Sequence, residues 1–381
     1  MTVANHVVRH ELLLFNSCFL RCLEKSSKFG GQKHKNTPAD MRHVILPDDG
    51  GRQLPFYLAM EEWVALNLPA GDWFFTWRVS PTVIFGRNQN IEAEVDIDYC
   101  RRNGIGFYRR KSGGGCVYAD MDNIMMSYIT ASGDDVQTIF SRYTSMIAGM
   151  LSSLGLEASA TGRNDVYIGT RKVSGNAFYR LPGRSIVHGT MLFSTDMGHM
   201  LRAITPSRSK MESKQVQSVA AHVTTISEHL PGLNIDDFER HAVSALTSGV
   251  PLELTPSQVA QIESMEQGYR SEEWIRHGRT HRLSGSAVRS VSGRVSGVGE
   301  LNVSVALSAD GRNIADVAID GDFFPLADGA SAELMSFLRG VPLSLDGIAR
   351  ALKGVDASRY IAGLDTEILA EFLTDNILNP T

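Results

Sequence analysis

Two arginines, a lysine and three consecutive glycines, in the run Arg109-Arg-Lys-Ser-Gly-Gly-Gly115, are well suited to hold an anion. Glycine lets backbone N–H groups approach a ligand closely because no Cβ intervenes, and the preceding cations supply countercharge. A bare triple glycine more often marks a flexible turn, but a turn has no need for such concentrated charge. The run lacks the Lys-Ser/Thr ending of a G-x-x-x-x-G-K-[ST] phosphate loop. It also lacks the G-x-G-x-x-G spacing of a dinucleotide fingerprint. Two further blocks combine glycine with polar side chains: Gly162-Arg-Asn-Asp165, followed by Lys172-Val-Ser-Gly175, and His188-Gly-Thr190. By itself Lys172 reads as a solvated charge at a strand end. His188 reads either as a general base or as a hydrogen-bonded wall of a pocket, and a histidine followed by Gly-Thr in a strand favours the wall.

These blocks resemble, in order and spacing, the motifs of the lipoate–protein ligase family. Residues 109–123 are similar to R-R-x-S-G-G-G-x-V-[YF]-x-D-x-x-N, residues 162–177 to G-R-N-D … K-[IV]-S-G-x-A, and His188 to Asp196 to H-G-T-L-L … D. The resemblance runs from about Met41 to the C-terminus and includes a Gly-Asp-Phe-Phe324 turn of the long-form ligases. It implies an α+β fold, a biotin/lipoate-ligase-like mixed sheet flanked by helices, with a small α+β C-terminal domain. It also implies lipoate and ATP with Mg²⁺, and lipoyl-domain acceptors such as 2-oxoacid dehydrogenase E2 subunits and the glycine-cleavage H protein. In this family Lys172 would contact both the acyl carboxylate and the α-phosphate, which makes it the catalytic candidate. Arg110, Gly115, Cys116, Val117, Tyr118, Asn123, Asn164 and Asp165 would line the nucleotide. Asp165 would either hold Mg²⁺ or orient the ribose. Arg109, Gly113, Gly114, His188 and Gly189, with Lys172, would meet lipoate. The strand residues Val83, Ile84 and Phe85 with Gly86 would line an acyl tunnel or simply pack a core.

The chemistry explains these residue types. A carboxylate that attacks an α-phosphate brings two anions together, so fixed cations and backbone donors must favour the transition state. One stretch departs from the family's K-G-[IV]-x-S-V-R-S-R-V loop, with Gln215, Ala220 and His222 replacing the glycine and two arginines. Losing those cations weakens closure over an anionic intermediate unless Arg208 or Lys210 substitutes. Three alternatives therefore accompany the ligase: a transferase that uses only preformed lipoyl-AMP, a cysteine-dependent octanoyl or lipoyl transferase, and an inactive lipoate- or adenylate-binding protein. The second would need Cys116 as nucleophile, because Pro206-Ser207 stands where octanoyltransferases place Pro-Cys. The biotin-ligase loop G-R-G-R-x-G-R is absent.

The elements that must position these residues are legible in part. Phe56, Ala59, Met60, Trp63 and Val64 recur at helical spacing. Residues 73–78 and 82–85 read as strands, and 124–129 as a buried one. Ile139, Tyr143, Met146, Ile147, Met150 and Leu154 form one face of a helix closed by Gly155. Residues 166–168 and 185–193 are further strands. A polar stretch at 248–257 with Pro251 and Pro256 reads as a linker, giving a catalytic domain at 41–250 and an accessory domain at 251–381. In the latter, Leu301, Val303, Val305 and Leu307 alternate as a strand, Asp310-Gly311 signals a hairpin to 314–319, and helical patterns occupy 332–338 and much of 345–375. Residues 1–40 read as a disordered or non-native extension ahead of Met41, with an organellar transit peptide the other reading. The chain has 381 residues, a net charge of −5, and no run of the roughly 18 apolar residues a membrane span requires. Neither nucleic acid nor membrane is an expected partner. Four cysteines, Cys18, Cys22, Cys100 and Cys116, suit reduced thiols in a cytoplasm, and Cys18 and Cys22 lack the further ligands of a zinc site.

Overall fold

The computed structural model describes residues 40–48, 51–161, 164–204, 222–277, 283 and 287–374. The N-terminal extension, Gly162, Arg163, Pro206, Ser207, Arg208, Lys210 and residues 214–221 of the divergent loop lie outside the described residues.

An eight-stranded mixed sheet organises the first body, in the order β11-β1-β2-β6-β10-β9-β8-β7. Its strands are β1 (Arg42–Ile45), β2 (Trp73–Trp77), β6 (Asn123–Ala131), β7 (Ala158–Thr161), β8 (Asp165–Ile168), β9 (Arg171–Leu181), β10 (Arg184–Leu192) and β11 (Leu252–Glu253). β1 runs parallel to β2 and β11, and the other neighbours are antiparallel. The central strand β6 is buried on both faces, which explains its unbroken apolar run. Ile124, Met126 and Tyr128 face one core, on the side of the sheet that two helices cover.

 Within that core α1 (Val136–Ser153) lies over β7 and β8 and α2 (Ile235–Leu246) over β2, and the two helices touch each other. Gly155 adopts a φ of 83° just past α1, the left-handed conformation that closes a helix. Met125 and Ile129 face the other core, where the Leu54–Asn67 helix packs with a helix expected to lie in the accessory domain.

That helix, α3 (Pro256–Arg270), begins at a Thr255–Gln258 capping box and buries Val259, Ile262 and Tyr269 in the catalytic body. β11 just before it pairs with β1 through Val44 and Leu252. Residues 252–270 therefore continue the first body, and the proline-bearing stretch read as a linker contains a strand and a helix start. The reason is local: Pro256 occupies the first helical turn, where no N–H is needed. A short helix, α4 (Glu272–His277), follows.

A small sheet, β4-β3-β5, flanks the main one and carries the glycine run between two of its strands. It comprises β3 (Thr82–Phe85), β4 (Gly106–Arg109) and β5 (Val117–Ala119). The accessory domain is a three-stranded antiparallel sheet, β12 (Ala287–Val295), β13 (Gly299–Leu307) and β14 (Ile314–Gly321), with helices on one core. The alternating residues Leu301, Val303, Val305 and Leu307 all enter that core, as their period predicts. The helical patterns expected over much of 345–375 are two helices, Leu345–Leu352 and Thr366–Leu373, with a 3-10 turn at Ala357–Arg359 between them. Ser344 and Asp365 cap the two starts, so each helix has its own N-terminus.

The two bodies meet at the glycine run. Gly114 N donates to Phe323 O at 3.2 Å, Gly321 N donates to Asn88 O at 2.9 Å, and Arg87 pairs with Asp328. Phe324 enters the catalytic core, 5.6 Å from the Phe140 ring in an edge-on arrangement.

Candidate functional site

β9 is the strand that places Lys172. A register shift opposite Val166 and Tyr167 lets Lys172 lie across from β8, and its Nζ reaches Asp165 Oδ1 at 2.8 Å. The lysine crosses over Gly175, where a Cβ would stand 2.7 Å from Nζ. Any larger residue there would push the end of the lysine aside. Asn164 and Asn176 lock the base of the same region: Asn176 Nδ2 donates to Asn164 O at 2.8 Å, and Asn164 Nδ2 donates to Asn176 O. Asn176 in turn occupies space over Gly189, because a Cβ there would fall 1.7 Å from Asn176 Oδ1.

The glycine run is tied down from below. Arg110 is buried and donates to Ser112 Oγ and to the carbonyls of Ile84, Gly113 and Gly115 at 2.7–2.9 Å. Burial lowers its pKa to about 10. Gly114 has a φ of 84°, so a side chain there would strain the turn. Two adjacent carboxylates of the Leu54–Asn67 helix hold the residues before the glycines. Glu62 pairs with Lys111 at 2.6 Å. Glu61, fully buried, accepts from His188 Nδ1 at 2.8 Å and from Ser127 Oγ at 2.6 Å. His188 Nε2 is 2.6 Å from Ser112 Oγ, which completes a chain from Glu61 to the loop. Arg110 already donates to Ser112 Oγ, so the serine hydroxyl proton is free to point at His188 Nε2.

These groups enclose a cavity of about 710 Å³, within the range of small-molecule sites. Of the residues expected to meet a nucleotide, Arg110, Gly115, Cys116, Val117, Asn164, Asp165 and Lys172 line it. Of those expected to meet lipoate, Gly114, His188, Gly189 and Lys172 do. Four candidates fall outside the lining. Tyr118 is adjacent to Val117 on a strand, so it faces the opposite way and packs in the small-sheet core. Asn123 is fully buried as a brace, donating to Tyr118 O at 3.1 Å and accepting from Thr195. Arg109 turns to α4, donating to Ile275 O and to the carbonyls of Gly86, Arg87 and Gln89. Gly113 packs against the Phe323 backbone. The same alternation divides the expected tunnel strand: Ile84 lines the cavity, while Val83 and Phe85 lie in the small-sheet core.

Leu58, Trp77, Met125 and Ala177 add an apolar wall, and Asn176 and Thr190 a polar one. Sequence reasoning missed these, although Asn176 sits inside the K-[IV]-S-G-x-A block and was open to inspection. It also missed Glu61, which lies 127 residues from its partner His188. The accessory domain contributes Arg294, the turn at 295–299, Asp322 and Phe324. Burial pushes the Cys116 thiol well above its ordinary range, with only partial relief from Arg110. A thiol held protonated is a poor nucleophile. The oxygen donors Asp165 and Asn164 suit a hard divalent cation that also binds phosphate, although the described residues hold no cluster of three acidic, histidine or cysteine ligands.

Residues 54–247 match the lipoyl protein ligase A/B catalytic domain, and residues 292–373 match the bacterial lipoate protein ligase C-terminus. The chain is 30% identical over 319 residues to the lipoate-protein ligase LplJ of Bacillus subtilis (strain 168), covering 81% of this chain and 93% of that protein. It is 31% identical over 323 residues to lipoate–protein ligase 1 of Staphylococcus aureus (strain Mu50 / ATCC 700699), covering 83% and 95%. Its fold resembles P. falciparum LipL1 in complex with lipoate, with a TM-score of 0.68 at 18% identity over 89% of this chain and 99% of that one. It also resembles the bipartite lipoate protein ligase of Thermoplasma acidophilum, with a TM-score of 0.58 at 23% identity over 65% and 100%.

Proposed function

The chain belongs to the lipoate–protein ligase family, and from that premise we propose how its residues divide the reaction. It is an ATP-dependent ligase that activates lipoate as lipoyl-AMP and passes the lipoyl group to a lysine of an acceptor protein. In the first half-reaction a lipoate carboxylate oxygen bonds to the α-phosphorus, and the bond to the β-phosphate oxygen breaks. The electron pair leaves with pyrophosphate. Lys172 offsets the repulsion between the two anions, because its ammonium stands in the cavity with Asp165 as its local partner. The Lys172–Asp165 pair over Gly175 is the observation that carries this assignment.

The apolar residues Leu58, Trp77, Ile84 and Met125 receive the acyl chain. Gly115, Cys116 and Val117 face the nucleotide, and Arg110 shapes their loop by holding its carbonyls. Asp165 would hold a Mg²⁺ ion accompanying ATP, which would supply charge neutralisation at the phosphates. In the second half-reaction the acceptor's ε-amine bonds to the acyl carbon, AMP leaves, and the amine loses a proton. His188 orients the pocket wall through Glu61 and Ser112.

The acceptors are lipoyl domains, with 2-oxoacid dehydrogenase E2 subunits and the glycine-cleavage H protein as candidates. The T. acidophilum ligase described together with its E2 lipoyl domain supports that class. The reading places the reaction in the cytoplasm, in keeping with the free thiols of Cys100 and Cys116. The test is a mass measurement on a lipoyl domain incubated with the chain and lipoate, with either Mg-ATP or synthetic lipoyl-AMP supplied. One added lipoyl group under both conditions is the expected result. Product from lipoyl-AMP alone would reduce the activity to transfer.

A further inference from the structure

The hairpin joining β12 to β13 brings an arginine to the cavity from the accessory domain. Arg294 lies opposite Glu300 in the β12–β13 ladder, and both Arg294 and the 295–299 turn line the cavity. Asp322 fixes this end of the hairpin: its carboxylate accepts from Glu300 N, and its backbone N donates to Glu300 O at 3.1 Å. The other carboxylate oxygen lies 3.8 Å from Arg294 Nη1. That is beyond hydrogen-bond distance, and the Arg294 side chain is 66% exposed.

Among the described lining residues, Arg110, Lys172 and Arg294 are the lysines and arginines. Arg110 spends its donors on three carbonyls and Ser112, and Lys172 is engaged by Asp165. Asp165 and Asp322 place negative charge in the same wall. A triphosphate entering this cavity therefore needs a cation with unspent donors. Arg294 has a planar fork of N–H groups that matches phosphate oxygens, and its ion pair among the described residues is the long contact to Asp322.

We propose that Arg294 contacts the β- and γ-phosphate oxygens of ATP and follows them as pyrophosphate departs. The inference rests on the reading that the adenylate forms in this cavity. As the carboxylate–phosphorus bond forms and the bond to the β-phosphate oxygen breaks, negative charge grows on the leaving pyrophosphate. Arg294 neutralises part of that charge. Asp322 holds the guanidinium near the cavity until phosphate oxygens replace it.

The test uses the full chain with Arg294→Ala and Arg294→Lys. Lipoate-dependent exchange of labelled pyrophosphate into ATP reads adenylation, and transfer from synthetic lipoyl-AMP to a lipoyl domain reads the second step. Arg294→Ala is expected to raise KM for Mg-ATP by about tenfold or more and to weaken product inhibition by pyrophosphate, with KM for lipoate unchanged. Arg294→Lys should recover part of the loss, and transfer from lipoyl-AMP should stay within about twofold of wild type. Wild-type exchange in Arg294→Ala, or equal losses in both steps, would overturn the proposal. A wild-type chain that transfers lipoyl-AMP but exchanges no pyrophosphate would overturn the underlying adenylation reading, and the inference with it.

Discussion

Lys172 Nζ lies 2.8 Å from Asp165 Oδ1, and the two residues come from neighbouring strands whose register shifts just there. The shift brings both side chains to one cavity wall. An ion pair so placed keeps the lysine ordered before substrate arrives, which reduces the reorganisation needed at reaction. Lys172→Ala should lower lipoyl-AMP formation by about a hundredfold or more, since it removes a fixed charge at the reacting phosphate. Pyrophosphate exchange measures this directly, and a circular dichroism melt within a few degrees of wild type would exclude unfolding as the cause.

Gly175→Ala tests the path of that lysine. The new Cβ would fall 2.7 Å from Nζ and 2.8 Å from Cε, so the flexible end of Lys172 must move. Activity should fall about tenfold or more while the fold persists, because misplacement of a reacting group is costly. Wild-type turnover in this variant would show that the lysine works from another position.

Glu61 is predicted to be a stability residue as much as a site residue. It is fully buried and accepts hydrogen bonds from His188 and Ser127. Glu61→Ala strands both donors, at a cost of about 2–4 kcal/mol. Urea unfolding gives the value, and Glu61→Gln should recover part of it by keeping one acceptor.

Cys116→Ser should retain most ligation of lipoate in the presence of ATP. Desolvation raises the thiol's pKa, which disfavours the thiolate a thioester route would need. An acyl-enzyme of the corresponding mass in wild type, lost in the variant, would contradict this.

Asp320 makes stability depend on pH in a defined sense. Burial raises its carboxyl from 3.8 to about 6, and Arg109 opposes the rise. The folded state therefore binds the extra proton, and this group's contribution is full below about 4 and lost as pH rises through about 6. Thermal midpoints of wild type should fall across that window relative to Asp320→Asn, which has no proton to lose. Parallel curves for the two proteins would show that Asp320 does not titrate in this way.

How much of this was legible in the sequence depended on distance along the chain. The glycine run and Lys172 were readable because their chemistry demands particular residues in short blocks. β9, the strand that carries Lys172, was not: Arg171, Lys172, Ser174 and Asn176 break the apolar alternation that marks a strand. Those polar residues serve the cavity and so hide the element that holds them. Glu61 looked like an ordinary helix residue because its partners come from β6 and β10. Tyr118 and Asn123 matched the family pattern, yet their side chains pack and brace the scaffold outside the cavity. Arg294 gave no local signal, since its place beside the cavity depends on how the accessory domain sits against the glycine run.

The docking of α3 on the Leu54–Asn67 helix has a practical meaning for dissection. A protein cut at residue 250 would leave the first piece with Trp63 and Val64 uncovered and the second with Val259, Ile262 and Tyr269 exposed. Both pieces would tend to aggregate. A cut between residues 277 and 287 keeps α3 on the Leu54–Asn67 helix and separates Phe324 and Ala362 from the catalytic core they pack against. For splitting, swapping or separately expressing the two parts, a cut past His277 therefore uncovers less apolar surface than one at Pro251 or Pro256.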